Sequence, residues 1–122
     1  MCIHHILVVD DEPVLADACK QYFEHFGYKV TVAYDGQTAL DLYERHSVDA
    51  LITDFRMPRM NGQELLTRIR QRKPTLPAIM VSGFPGDFRQ SEDERTKVFA
   101  KPTRLHTLAQ CIKNLPCDSA VN

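Results

Sequence analysis

The sequence predicts an α/β fold, a doubly wound sheet of five parallel strands with helices on both faces. Three observations predict it. Short apolar runs, Ile6-Leu7-Val8-Val9, Ala50-Leu51-Ile52 and Ala78-Ile79-Met80-Val81, read as strands buried on both faces. Stretches with apolar residues at helical spacing alternate with them, the pattern of βαβ units joined by right-handed crossovers. Polar residues close four strands: Asp10-Asp11, Asp54, Ser82 and Lys101. In open α/β sheets ligands bind outside those carboxyl ends.

A chain of 122 residues is read as one domain, 1–122, with its core at about 3–116 and no separate output domain. Its 43% hydrophobic and 25% charged fractions are those of an ordinary globular protein, which excludes disordered and membrane classes. The start, Met1-Cys2-Ile3-His4-His5, lacks the basic and apolar regions of a signal peptide, so the expected location is the cytoplasm. A formal net charge of -1 leaves no electrostatic footprint for nucleic acid. Cys2, Cys19, Cys111 and Cys117 have neither metal spacing nor disulfide density and are expected to be reduced.

Ile3 to Val9 is the first strand, and Asp10-Asp11-Glu12-Pro13 turns it into a helix, since proline and acidic residues suit a helix start. Val14, Leu15, Ala18, Cys19, Tyr22, Phe23 and Phe26 give that helix an apolar face, and Gly27 stops it. Tyr28 to Ala33 is the second strand. Asp35-Gly36 leads into a helix from about Gln37 to His46, with Ala39, Leu40, Leu42 and Tyr43 inward. The third strand delivers Asp54 into a loop carrying Pro58. Asn61-Gly62 then opens a helix that buries Leu65, Leu66 and Ile69 and ends at Pro74, its basic residues Arg68 to Lys73 read as a solvated end. Leu76 to Ser82 is the fourth strand, and Phe84 to Arg95 has room for a short helix. Lys97 to Ala100 is the last strand. Lys101-Pro102 opens a final helix lined by Leu105, Leu108, Ala109 and Ile112, and Cys117 to Asn122 reads as frayed.

Singly, the polar strand ends are weak signals. Asp10, Asp11 and Glu12 also fit as caps of the first helix, Ser82-Gly83 as an ordinary turn, and Lys101 as an exposed residue before a proline. Jointly they point to one site. His4 and His5 are adjacent and face opposite sides of a strand, which is poor metal geometry, while His25 and His46 suit helix C-termini.

The ordered set resembles the receiver domain of bacterial two-component response regulators. The likeness rests on the acidic pair after Val8-Val9, on Asp54-Phe55-Arg56-Met57-Pro58-Arg59-Met60-Asn61-Gly62, on Ser82-Gly83 and on Lys101-Pro102. It implies a flavodoxin-like (βα)5 domain of strand order 2-1-3-4-5, single-domain and similar to the chemotaxis response regulator. Asp54 would accept a phosphoryl group from a phosphohistidine on a sensor histidine kinase or histidine phosphotransfer protein. Asp10, Asp11, Asp54 and the backbone carbonyl of Arg56 would hold Mg²⁺, for which Mn²⁺ could substitute. Ser82 and Lys101 would bind the phosphoryl oxygens, and Arg56 and Phe84 would flank the path of hydrolytic water. The family's switch aromatic stands three residues before the lysine. Here that position is Val98, beside Phe99.

The resemblance further implies phosphorylation and autodephosphorylation of the domain itself without turnover of an external substrate, an unidentified downstream protein target, and a monomer or weak homodimer. Two alternatives compete. One is a receiver-like interaction module that works without phosphate. The other is a phosphohydrolase of the haloacid dehalogenase type, which needs a second aspartate where this chain has Arg56.

Overall fold

A computed structural model of the protein describes residues 3–84, 86 and 92–116. The strands are β1 (His5–Val9), β2 (Lys29–Ala33), β3 (Ala50–Asp54), β4 (Ala78–Ser82) and β5 (Thr96–Ala100). The helices are α1 (Pro13–His25), α2 (Gly36–Arg45), α3 (Gly62–Arg70) and α4 (Leu105–Asn114). All strand pairs are parallel, in the order β2-β1-β3-β4-β5, so the doubly wound fold and its predicted strand order are what the chain adopts. The short helix expected between Phe84 and Arg95 falls largely on residues 85 and 87–91, and the frayed end on 117–122, both outside the described residues.

Alternation along each strand divides the core into two layers. Ile6, Val8, Ile52 and Ile79 pack with Ala16, Cys19 and Phe23 of α1 and Leu108 and Ile112 of α4. Leu7, Val9, Leu51 and Met80 pack with Ala39 of α2 and Leu65, Leu66 and Ile69 of α3. β1 and β3 lie in the middle of the sheet and every one of their residues is buried, which is why they read as continuous apolar runs. Two side chains start helices as their residue types predict. Asp35 accepts the Thr38 N–H at 2.7 Å, and Asn61 and Glu64 form a reciprocal capping box.

Several expectations are corrected. β1 begins at His5, because Ile3 is buried outside the strand. Val14 is 80% exposed, Leu15 48% and Phe26 56%, so none of them belongs to the buried face of α1. That helix seats on the sheet through a narrower stripe. The stripe is Ala16, Cys19 and Phe23, and Phe26 sits at the C-cap beyond the last turn, against Tyr22 and His25. Glu12 is the N-cap residue but makes no side-chain cap, so the acidic cluster is not spent on capping α1. Lys101-Pro102 does not open the last helix. The peptide between them is cis, the Thr103 hydroxyl donates to the Ala100 carbonyl, and α4 starts after Arg104.

Arg68 to Lys73 is not simply a solvated end. Arg70 donates from Nε and Nη2 to the Leu76 carbonyl at 3.1 and 2.7 Å and from Nη2 to that of Arg95 at 3.2 Å. It ties α3 to the entrances of β4 and β5. His5 is structural. Its Nδ1 must donate to the Ser47 carbonyl at 2.8 Å, so its Nε2 accepts from the Thr31 hydroxyl at 2.7 Å. Cys19 is buried and Cys111 partly so, as free thiols.

Candidate functional site

Because the strands are parallel and in register, β1, β3, β4 and β5 release their chains at one edge of the sheet. Asp10 and Asp11 follow β1. Asp10 Oδ1 accepts the Glu12 N–H at 2.9 Å, which folds the loop over its own carboxylate. Asp54 ends β3 with 4% of its surface exposed. Lys101 follows β5, and its Nζ stands 2.7 Å from Asp54 Oδ1. Suitable carboxylate oxygens of Asp10, Asp11 and Asp54 lie within 4.8 Å of one another.

Asp54 is set by close backbone packing. A Cβ added to Gly62 would lie 2.3 Å from the Asp54 carbonyl oxygen, and the Gly62 N–H donates to the Phe55 carbonyl at 2.6 Å. Only a glycine allows α3 to begin that near the strand end. The sequence marks Asn61-Gly62 as a helix start, but the approach to Asp54 joins β3 to α3 and becomes visible only in three dimensions.

Electrostatically the site is loaded. Burial pushes the Asp54 pKa up to about 7. Asp10 adds to the rise, because the two carboxyls hydrogen-bond only while one of them holds a proton, and Lys101 opposes it. Burial acts against the Lys101 charge, yet the hydrogen bond to Asp54 and the charges of Asp54, Asp10 and Glu12 hold its pKa above the ordinary value. Asp54 Oδ2 is buried and has no hydrogen-bond partner among the described residues. Three clustered carboxylates with one such oxygen are hard ligands of the kind a small divalent cation takes, so the donor set fits Mg²⁺. A cavity of about 460 Å³ opens beside Asp54 and Lys101, walled by Ala16, Cys19, Ile52, Val81 and Leu108.

The remaining expected residues are placed differently. Asp54 pairs with Val81 in the ladder, so strand alternation points Ser82 to the opposite face of the sheet. The Ser82 hydroxyl, 2% exposed as a residue, accepts the Phe84 N–H at 3.1 Å. The Arg56 guanidinium lies over the Phe84 ring, 3.8 Å from its centroid. Val98, partly buried, packs against the layer of α2 and α3, and Phe99, also partly buried, against the layer of α1 and α4. Phe99 therefore faces away from the side that Val98 occupies.

The family model for the response regulator receiver domain matches residues 6–113. This chain belongs to that family. It is a receiver domain of two-component signalling, and such domains work with histidine kinases and downstream targets. It is 36% identical to the response regulator SaeR of Staphylococcus aureus over 78 residues, which are 64% of this chain and 34% of that protein. The chain thus spans about a third of the length of the curated relatives it matches. A receiver domain protein from Clostridium thermocellum superposes with a TM-score of 0.85 at 26% identity, over 93% of this chain and 94% of that one. A Francisella response regulator receiver domain does so with 0.82 at 28%, over 92% and 95%. The chemotaxis protein CheY4 of Vibrio cholerae shares the fold, with a TM-score of 0.83 at 24% identity over 93% and 99%. Among the described residues of this receiver domain, no helix is long and apolar enough to cross a membrane.

Proposed function

We propose that Asp54 accepts a phosphoryl group from a phosphohistidine of a sensor histidine kinase or histidine phosphotransfer protein, and that this changes which proteins the domain contacts. The observation that carries the reading is the Lys101–Asp54 ion pair of 2.7 Å beside two further carboxylates. It joins a buried nucleophile, a fixed cation and a set of metal ligands in one place.

A carboxylate oxygen of Asp54 attacks phosphorus and the P–N bond of the phosphohistidine breaks. The bonding electron pair returns to the imidazole, and an acyl phosphate forms. Before attack, Asp54 must be deprotonated, and Lys101 favours that form. After transfer, Lys101 pairs with a phosphoryl oxygen as a point charge, and the Ser82 hydroxyl donates to another. Asp10, Asp11, Asp54 and the Arg56 carbonyl would hold Mg²⁺, or Mn²⁺ in its place. When bound, the cation neutralises the repulsion between the carboxylates and the entering phosphoryl oxygens. Arg56 and Phe84, each bulky and two residues past Asp54 and Ser82 respectively, flank the approach of hydrolytic water and slow it, which lengthens the life of the acyl phosphate. Residues 3–116 act as one such unit, monomeric or weakly dimeric, in the cytoplasm.

Intact mass after incubation with Mg²⁺ and acetyl phosphate tests the reading. A single phosphoryl adduct is expected, not formed when Mg²⁺ is chelated beforehand and absent from Asp54→Asn. If neither acetyl phosphate nor a phosphohistidine donor gives an adduct, the domain is an interaction module that works without phosphate.

A further inference from the structure

We infer that Phe84 is the aromatic that reports the phosphorylation state of this domain, through a linkage running from Ser82 to Phe84 to Arg56; this rests on Asp54 taking the phosphoryl group. Phe84 is 51% exposed, whereas Val98 and Phe99 of β5 are partly buried, each packed against a core layer. A change of exposure at either of the latter would give up packing against that layer.

Phe84 is held from two sides. Its N–H donates to the Ser82 hydroxyl at 3.1 Å, and its ring lies beneath the Arg56 guanidinium at 3.8 Å. Ser82 follows Val81, the ladder partner of Asp54, and Arg56 stands two residues after Asp54 in the loop leaving β3. Both ties therefore run to residues that a phosphoryl group on Asp54 would recruit. Because Ser82 points to the face opposite Asp54, its oxygen must swing or its loop must shift to reach a phosphoryl oxygen. Either movement pulls on or breaks the bond to the Phe84 N–H. The same phosphoryl group adds negative charge near Arg56, and a guanidinium binds phosphoryl oxygens more strongly than the face of an exposed ring. Arg56 then leaves Phe84, and the ring is uncovered where a partner's apolar side chain can meet it. The pair would give an aromatic output to a domain that has Val98 at the family's switch-aromatic position.

The chain contains no tryptophan, so Phe84→Trp supplies a single emitter at an exposed position. Acrylamide quenching of that emitter is read on samples whose adduct fraction is measured by intact mass. Quenching should rise by about two-fold on full phosphorylation, since exposure of the ring sets access. At equal adduct fraction the rise should vanish in the Ser82→Ala background. In the Arg56→Met background quenching should be high before phosphorylation. In the unsubstituted chain, hydrogen exchange at the Phe84 amide should speed up by about ten-fold as its bond to Ser82 opens. An adduct with unchanged quenching and unchanged exchange overturns the linkage and leaves the phosphoacceptor reading standing. A rise that persists in the Ser82→Ala, Arg56→Met double variant also overturns it. Absence of any adduct overturns both.

Discussion

Lys101 Nζ and Asp54 Oδ1 stand 2.7 Å apart at the carboxyl edge of the sheet, and the second oxygen of the same carboxylate is buried without a hydrogen-bond partner among the described residues. Asp54 is thus half satisfied. An unsatisfied buried acceptor costs about 1–3 kcal/mol, a cost that the proposed phosphoacceptor role of Asp54 would account for. Asp54→Asn gives Asp10 an amide donor and removes a charge from the cluster. Thermal melts in chelator should place Asp54→Asn about 1 kcal/mol above the native protein, a rise of roughly 3–6 °C. A lower melting temperature would show that the Lys101 pair outweighs the crowding of carboxylates.

Gly62 is the structural key to the position of Asp54. A Cβ there would meet the Asp54 carbonyl at 2.3 Å and Thr53 Cγ2 at 3.1 Å, whereas one on Gly83 would meet nothing within 4 Å. Gly62→Ala should cost about 1–3 kcal/mol and slow adduct formation at Asp54, because backbone cannot move aside as a side chain can. Gly83→Ala serves as the neutral comparison. Equal denaturant midpoints for the two variants would contradict the packing argument.

The pH dependence of stability should carry a mark of His5. Burial lowers its pKa below 6.5, helped by the charges of Lys29 and His46 and opposed by the Ser47 carbonyl and Asp49. Between the folded and unfolded values, the unfolded chain binds a proton that the folded chain refuses. The stabilisation is therefore full above about pH 6.5 and is lost as pH falls through that value toward the folded one. Urea midpoints at about pH 7.5 and pH 5.5 should differ more in the native chain than in His5→Gln. A steeper loss in the variant would reverse the sign.

Arg70 should be a large stability determinant despite its place in a basic run. Its bonds to the carbonyls of Leu76 and Arg95 hold the entrances of two strands, with Asp93 3.6 Å from Nη1. Arg70→Ala should cost about 1.5–3 kcal/mol in chemical denaturation, and Arg70→Lys should not restore it, since an ammonium cannot reproduce the forked geometry. Full rescue by lysine would reduce the role to charge alone.

The sheet was legible in the sequence because β1, β3 and β4 carry unbroken apolar runs, which only strands covered on both faces require. The convergence of Asp10, Asp11, Asp54 and Lys101 was legible too, since parallel topology sends all their strand ends to one edge. What stayed hidden depends on contacts between distant segments. Helical spacing groups Val14, Leu15 and Phe26 with Cys19 and Phe23, but only the packing of α1 on the sheet decides which of them is covered. A proline after Lys101 looks like a helix start until Thr103 is seen to turn the chain first. Arg70 resembles its basic neighbours in every local respect, and its carbonyl partners belong to other elements. Arg56 and Phe84 stand at recognisable positions in the sequence, but their stacking depends on the relative placement of two loops.

Whether Asp54 carries the phosphoryl group is decided by locating that group chemically. Borohydride reduces an aspartyl phosphate to homoserine, so the protein is phosphorylated with acetyl phosphate and Mg²⁺, reduced, digested and sequenced by mass spectrometry. Homoserine is expected at position 54 and at no other aspartate. Homoserine at Asp10 or Asp11, or an adduct that leaves position 54 as aspartate, would contradict it.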